Sequence, residues 1–142
     1  MKQALELGEQ SAKAGEVPVG AVIVSRGEVI AKERNRMRQN ADLTNHAEIL
    51  AIKKAMQFLQ TDRLSECDLY VTLEPCTMCA GAISLAKIRR VYYGAEDIKG
   101  GAVDNGVRFF NSNTCLHRPE VIGGIEGEKS AEMLRKFFVE RR

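Results

Sequence analysis

The sequence predicts a three-layer α/β/α sandwich around a central mixed sheet of about five strands, and three observations support this fold class. Apolar residues recur at helical spacing in segments that alternate with short β-branched runs. The first two strands flank a two-residue turn, whereas a helix separates the later strands and implies parallel pairing. The chain of 142 residues has no linker, repeat or low-complexity tract, so we expect residues 1–142 to form one domain.

The N-terminal part predicts a helix followed by a hairpin. Residues 2–14 have a helix-forming composition, and Gly15 ends that helix. The β-branched run at 17–25 predicts a strand. Arg26-Gly27 is a turn from which residues 28–32 return as the partner strand.

The middle of the chain predicts two helices, each close to a strand. Apolar residues at helical spacing indicate a helix over 46–59, after a polar loop. Alternation over 68–73 predicts a strand, and Pro75 is expected to open the next helix at a first-turn position, where its missing N–H costs nothing. That helix runs to Leu85 and crosses over to a parallel strand at 90–93.

The C-terminal part of the sequence is expected to form little regular structure before its final helix. A long irregular segment begins at Gly100-Gly101, and residues 120–122 are expected to form a short strand. The C-terminal helix is predicted over 129–140.

Composition limits the broad class of protein. A net charge of +2 and a pI of about 8.4 do not by themselves indicate a nucleic-acid partner. No apolar run approaches the ~20 residues of a membrane span, and the polar N-terminus lacks a signal-peptide core. We therefore expect a soluble protein in the cytoplasm, without a membrane partner.

Two of the four cysteines form a Cys-x-x-Cys pair, Cys76 and Cys79. In a reducing compartment such a pair indicates a metal or redox site rather than a structural disulfide. Cys67 and Cys115 have no spacing partner and are expected to be buried free thiols.

Two short motifs at predicted helix starts point to one metal centre. The first is His46-Ala47-Glu48, and the second is Pro75-Cys76-Thr77-Met78-Cys79. His46, Cys76 and Cys79 make three candidate ligands, which is the number that a catalytic zinc ion takes while it keeps one position for water. Zinc lowers the pKa of such a water to about 7 and so supplies hydroxide at neutral pH.

Glu48 supplies the proton chemistry that hydroxide alone lacks. Attack on a ring carbon requires a proton at the ring nitrogen, and a departing amine requires a second one. Glu48 lies two residues after His46, where it can face the water without binding the metal. His-x-Glu followed by Pro-Cys-x-x-Cys is a known signature of zinc nucleobase deaminases.

Each motif alone has an ordinary explanation. A single histidine is more often a surface or core residue than a ligand, and a lone Cys-x-x-Cys also fits a zinc ribbon or a redox pair. The chain has no second Cys-x-x-Cys for a ribbon, and a redox pair has no need of His-x-Glu. The two motifs together favour the deaminase reading.

The chain resembles the bacterial tRNA-specific adenosine deaminases, which convert the wobble adenosine of an anticodon to inosine, within the cytidine deaminase-like superfamily. The resemblance covers nearly the whole chain. Its specific pieces are GEVPVGAVIV at 15–24, HAEILAI at 46–52, LYVTLEPCTMCAGAI at 69–83, RRVYYGAEDIKGGAV at 89–103 and KFFVERR at 136–142.

The resemblance implies a set of roles. One zinc ion per subunit would be bound by His46, Cys76 and Cys79, with Glu48 as the proton shuttle. The partner would be a tRNA anticodon stem-loop, bound by a homodimer. The residues implied in substrate binding are Asn35 and the backbone of Ala47 at the flipped base and sugar, Val17 and Pro18 along the base pocket, Asp97 along the RNA backbone, and Phe138 over a neighbouring base.

Residue chemistry gives partial support for an RNA partner. The C-terminal helix carries Arg135, Lys136, Arg141 and Arg142 around two phenylalanines, and cations with aromatics suit phosphates and unstacked bases. Solvated helix faces are often charged for no such reason. Two alternatives stay open: a deaminase of a free base or nucleotide, of guanine or cytosine type, and a non-catalytic zinc-stabilised scaffold, against which Glu48 argues.

Overall fold

The computed structural model describes residues 1–141; Arg142, counted above among the basic residues of the last helix, lies outside the described residues. The elements, in chain order, are α1 (Lys2–Lys13), β1 (Gly20–Ser25), β2 (Glu28–Arg34), α2 (Ala47–Leu59), β3 (Cys67–Leu73), α3 (Thr77–Leu85), β4 (Arg90–Ala95), a short 3-10 helix (Phe109–Asn111), β5 (Glu120–Ile122) and α4 (Gly127–Glu140).

The five strands form one mixed sheet in the order β2-β1-β3-β4-β5. β1 pairs antiparallel with both β2 and β3, and β4 pairs parallel with β3 and β5. The predicted hairpin and the parallel crossover through α3 are confirmed. Because β3 and β4 run in the same direction, the loops after Leu73 and Ala95 leave the sheet at one edge.

Helices cover both faces of the sheet, which confirms the predicted three layers. The main core lies between the sheet and helices α2 and α3, where Ile23, Leu69 and Val71 meet Ala51 and Ile83, all of them with no exposed surface. Each fully buried valine, leucine or isoleucine side chain among them contributes roughly 1.5–3 kcal/mol to stability.

Helices α1 and α4 contact each other and cover the opposite face. α1 approaches β1 so closely that a Cβ on Gly20 would collide with the carbonyl oxygen of Ala4 and lie 2.7 Å from Cβ of Leu7. This close approach explains a glycine at the first position of an otherwise β-branched strand.

The predicted starts of one strand and one helix are wrong. The strand begins at Gly20 rather than Val17, because Pro18 has no N–H and Val19 donates its own N–H back to the carbonyl of Val17 at 2.8 Å. Helix α3 begins at Thr77, with Cys76 as its extended N-cap residue, so Pro75 lies before the helix rather than in its first turn.

Other elements run further than predicted. β2 extends to Arg34, β4 extends to Ala95, and α4 already begins at Gly127. No helix within residues 1–141 is both long enough and apolar enough to cross a membrane.

Candidate catalytic metal centre

The three predicted ligands meet at one point. Nδ1 of His46 lies 3.7 Å from Sγ of Cys76 and 3.6 Å from Sγ of Cys79, and all three donor atoms lie within 4.8 Å of one another. His46 is the N-cap of α2 and Cys76 the N-cap of α3, while Cys79 is the third residue of α3. Two helix N-termini therefore converge on the cluster, and their free N–H groups and dipoles favour thiolate there.

The two cysteines are electrostatically unequal. The hydrogen bond from Cys79 lowers the pKa of Cys76 to about 4 against the opposing effect of burial, and the contact with His46 adds to the lowering. The same hydrogen bond, together with burial, raises the pKa of Cys79 far above its usual range. Two thiolates this close require a nearby cation, so the donor set is suited to a metal ion.

Glu48 is buried beside this cluster, with 4% of its surface exposed. It is the second residue of α2, in the turn that follows His46. Burial raises the pKa of Glu48 to about 7, although its own backbone N–H and the charge of His46 oppose the rise. A carboxyl group with a pKa near neutrality can both accept and donate a proton.

Asn35 links the predicted pocket wall to the start of α2. Its Oδ1 accepts the backbone N–H of Ala47 at 2.9 Å, and its Nδ2 donates to the carbonyl of Val17 at 3.1 Å. Ser11 also donates to that carbonyl, at 3.0 Å. The Ala47 N–H, predicted to hold the base, thus already has a partner inside the chain, and Pro18 beside Val17 is fully buried.

The other predicted substrate contacts lie on separate elements. Oδ1 of Asp97 accepts the backbone N–H groups of Lys99 and Gly100, so this carboxylate folds its own loop. Phe138 on α4 is 52% exposed, whereas its neighbour Phe137 is 6% exposed. The roles of Asp97 and Phe138 in binding stay predictions.

Sequence reasoning missed two buried acids near the site. Glu16, 2% exposed, accepts the backbone N–H groups of Arg38 and Gln39 at 3.1 and 2.7 Å and shapes the loop that leads to His46. Glu74, also 2% exposed, lies between β3 and Cys76 and accepts hydrogen bonds from the loop that contains Asp97. Glu74 directly follows β3, but no pattern in the sequence separates either acid from a surface residue.

The remaining cysteines are free, as predicted, but differ in burial. Cys67 is 1% exposed in the core. Cys115 is only half-buried, which corrects the expectation of full burial, and its Sγ donates to the carbonyl of His117 at 3.0 Å. Neither lies in the metal-ligand cluster of the described residues.

Comparisons with known proteins show the family of this chain. The family model of the MafB19-like deaminases matches residues 1–142. A tRNA-specific adenosine deaminase of Agrobacterium fabrum is 55% identical over all of this chain and 93% of its own length. One from Rickettsia bellii is 46% identical over 97% of both chains.

Two solved structures extend the comparison. One, from studies of A-to-I editing by tRNA:A34 deaminases at the wobble position, has a TM-score of 0.93 and 54% identity, covering 94% of this chain and 97% of its own. Another, a guanine deaminase from Nitrosomonas europaea, has a TM-score of 0.85 and 25% identity, covering 97% of this chain and 82% of its own.

Proposed function

Since the chain belongs to the MafB19-like deaminases and, within them, to the tRNA-specific adenosine deaminases, we propose that it hydrolyses adenosine to inosine at the wobble position of tRNA. The observation that carries this proposal is the convergence of His46, Cys76 and Cys79 beside the buried Glu48. The relatives at 55% and 46% identity support adenosine in tRNA over guanine, because the guanine deaminases of Nitrosomonas europaea and Bacillus subtilis are 25% and 35% identical.

Zinc is the proposed ion, at one per chain. Two sulfur donors with one imidazole nitrogen suit zinc better than harder cations. Tetrahedral bonds of ~2.3 Å to sulfur and ~2.0–2.1 Å to nitrogen would separate the donors by about 3.5–3.6 Å. The observed separations between His46 and the two sulfur atoms, 3.7 and 3.6 Å, support that geometry. When bound, the ion supplies an acidified water at neutral pH.

Glu48 would move the protons of the reaction. Its carboxylate takes a proton from the attacking water and delivers it to N1 of the purine, so that oxygen can bond to C6. A second proton passes through Glu48 to the exocyclic amine, the C6–N bond breaks, and ammonia leaves. Water is consumed and no redox partner is required.

Asn35, Ala47, Val17 and Pro18 would form the wall of the base and sugar pocket. The bonds of Asn35 to Ala47 and Val17 leave one amide hydrogen and one lone-pair direction of Asn35 for a ligand. Asp97 and Phe138 would contact the RNA on either side of the flipped nucleotide, with the exposed ring of Phe138 available for stacking.

The proposed assembly is a homodimer that acts on tRNA in the cytoplasm. Two apolar side chains near the end of α3 support a partner surface, because Leu85 is 80% and Leu116 is 88% exposed. Their segments are joined where Ser84 donates to the carbonyl of His117 at 2.8 Å. Light scattering at several protein concentrations would measure the mass of the assembly.

The function is tested with an anticodon stem-loop that carries adenosine at the wobble position, followed by nucleoside analysis. We expect inosine at that position and none when guanosine replaces the adenosine. A chain that leaves the stem-loop unchanged but releases ammonia from guanine or cytosine would instead be a free-base deaminase of the same fold.

A further inference from the structure

The carboxylate of Glu74 accepts five hydrogen bonds from one loop beside the metal-ligand cluster. Oε2 of Glu74 accepts the backbone N–H groups of Val103, Asp104 and Asn105 at 3.1, 2.9 and 3.0 Å. Oε1 accepts the backbone N–H of Asp97 at 3.0 Å and Nδ2 of Asn105 at 2.7 Å. All five donors belong to residues 97–105, which we call the Asp97 loop, and all bind a side chain that is 2% exposed.

The backbone joins the same loop to the metal-ligand segment. Ala102 donates its N–H to the carbonyl of Pro75 at 2.9 Å, and Gly101 forms an isolated antiparallel bridge with Cys76. A Cβ on Gly101 would lie 2.5 Å from Cδ of Glu74, so the loop and the carboxylate fit only with glycine there. The base of the loop is thereby fixed relative to Cys76.

The tip of the loop, unlike its base, is exposed to solvent. Ile98 is 79% exposed, and Lys99 and Gly100 are also exposed. A second anchor holds the far end, where the hydroxyl of Tyr93 donates to the carboxylate of Asp104. A rigid base with an exposed tip is the form of a preorganised binding arm, because ordering the loop in advance lowers the entropy cost of binding.

We propose that Glu74 is a positioning residue that holds the Asp97 loop in its RNA-binding conformation without touching RNA or metal. This inference rests on the proposed function, since it takes RNA as the ligand beside the loop. It also gives a role to Asp104 and Asn105, which lie in the irregular segment that begins at Gly100. The two carboxylate oxygens accept all five donors, whereas the neutral side chain of the same shape, glutamine, has only one acceptor oxygen.

The test is Glu74→Gln, which keeps the shape but turns an NH₂ group toward at least two N–H donors. We expect a folded chain with one zinc, a KM for the stem-loop raised about tenfold or more, and kcat within about twofold. Hydrogen exchange at residues 97–105 should become faster. Glu96→Gln is the matched control, because Glu96 is exposed at the start of the same loop.

A second variant keeps the test decisive if Glu74→Gln does not fold. Asn105→Ala removes only the Nδ2 donor, and we expect the same rise in KM and faster exchange to a smaller extent. Asn113→Ala, at an exposed site, is its control. Unchanged KM and exchange in the folded variants would overturn the role of Glu74, as would loss of zinc with kcat reduced and KM unchanged. Failure of the unaltered chain to form inosine would instead overturn the proposed function, and with it RNA as the ligand of the loop.

Discussion

Asn35 and Ala47 are joined by a hydrogen bond of 2.9 Å, from the backbone N–H that opens α2 to the side-chain oxygen of a residue just after β2. Because Nδ2 of Asn35 also holds the carbonyl of Val17, one amide side chain fixes the pocket wall relative to the histidine ligand. Asn35 is 5% exposed, so removal of its side chain leaves the N–H of Ala47 without a partner in a buried place.

Asn35→Ala should lower the free energy of unfolding by about 1–3 kcal/mol, because the buried N–H of Ala47 loses its partner. The KM for a stem-loop substrate should rise in the same variant. Urea unfolding and steady-state kinetics measure the two effects. Asn113→Ala, at an exposed site, should change neither, and an unchanged KM in Asn35→Ala would argue against a substrate role.

Glu48→Gln should retain the fold and the metal while turnover falls by at least about 10²-fold, because Gln cannot accept the proton from water. Metal analysis and single-turnover inosine formation test this together. Glu132→Gln, on the exposed surface of α4, serves as the control. Near-normal turnover in folded Glu48→Gln would remove Glu48 from the mechanism.

Cys76→Ala and Cys79→Ala should each lose the zinc and lower the melting temperature, because metal binding stabilises the folded chain. Metal content and thermal unfolding with and without a chelator measure this. Cys115→Ala should keep a full zinc complement, since Cys115 lies outside the cluster. Full zinc occupancy after loss of either proposed cysteine ligand would contradict the ligand set.

Phe137 and Phe138 form a matched pair, with ring centroids 5.3 Å apart and very different exposure. Phe138→Ala should change stability by less than about 0.5 kcal/mol, the usual range for an exposed site, and raise the KM for RNA. Phe137→Ala should instead cost about 3–5 kcal/mol of stability. Equal KM values for Phe138→Ala and the unaltered chain would exclude stacking by Phe138.

Glu33 gives the stability a pH dependence on the acid side. Burial raises the pKa of Glu33, but the hydrogen bonds from Lys54 and Arg36, at 2.9 Å each, outweigh it and hold the pKa below its ordinary value of 4.5. The folded state therefore gains stability above pH 4.5 and loses it as the pH falls through the lower, folded-state pKa.

Glu33→Gln should accordingly destabilise the chain at about pH 7 and make little difference at an acid pH below the folded-state pKa, where the carboxyl group of the unaltered chain is protonated. Urea unfolding at both pH values is the measurement. Glu66→Gln, whose side chain is 62% exposed, should show a smaller difference. The same loss of stability at both pH values would mean that packing, not charge, is responsible.

The predicted motifs located the metal cluster because both lie at helix starts. The hairpin and the parallel crossover were also predicted, whereas the antiparallel pairing of β1 with β3 was not. The local boundaries at Pro18 and Pro75 were not predictable from propensity. In each case a carbonyl beside the proline, of Val17 or of Pro75 itself, takes a hydrogen bond that pulls the chain out of regular structure. The carbonyl of Val17 also accepts from the side chains of Ser11 and Asn35, and that of Pro75 accepts from Ala102. Such tertiary contacts override local preference.

The role of Glu74 could not be predicted from the sequence, for a different reason. A glutamate between Leu73 and Pro75 has no periodicity that separates it from a surface acid, and its five donors lie 23 to 31 residues further along the chain. Only the packing of the loop onto the strand end reveals it. The same holds for Glu16, whose donors follow 22 and 23 residues later.

The positions of His46 and Cys76 at the two N-caps make a bound metal ion a cross-link between segments 30 residues apart. By the loop-closure relation used for disulfides, such a link lowers the conformational entropy of the unfolded chain. The free energy of unfolding rises by about 3–4 kcal/mol as a result. The ion would thus act as a reversible cross-link between α2 and α3. Chelation should separate these two helices before the sheet unfolds.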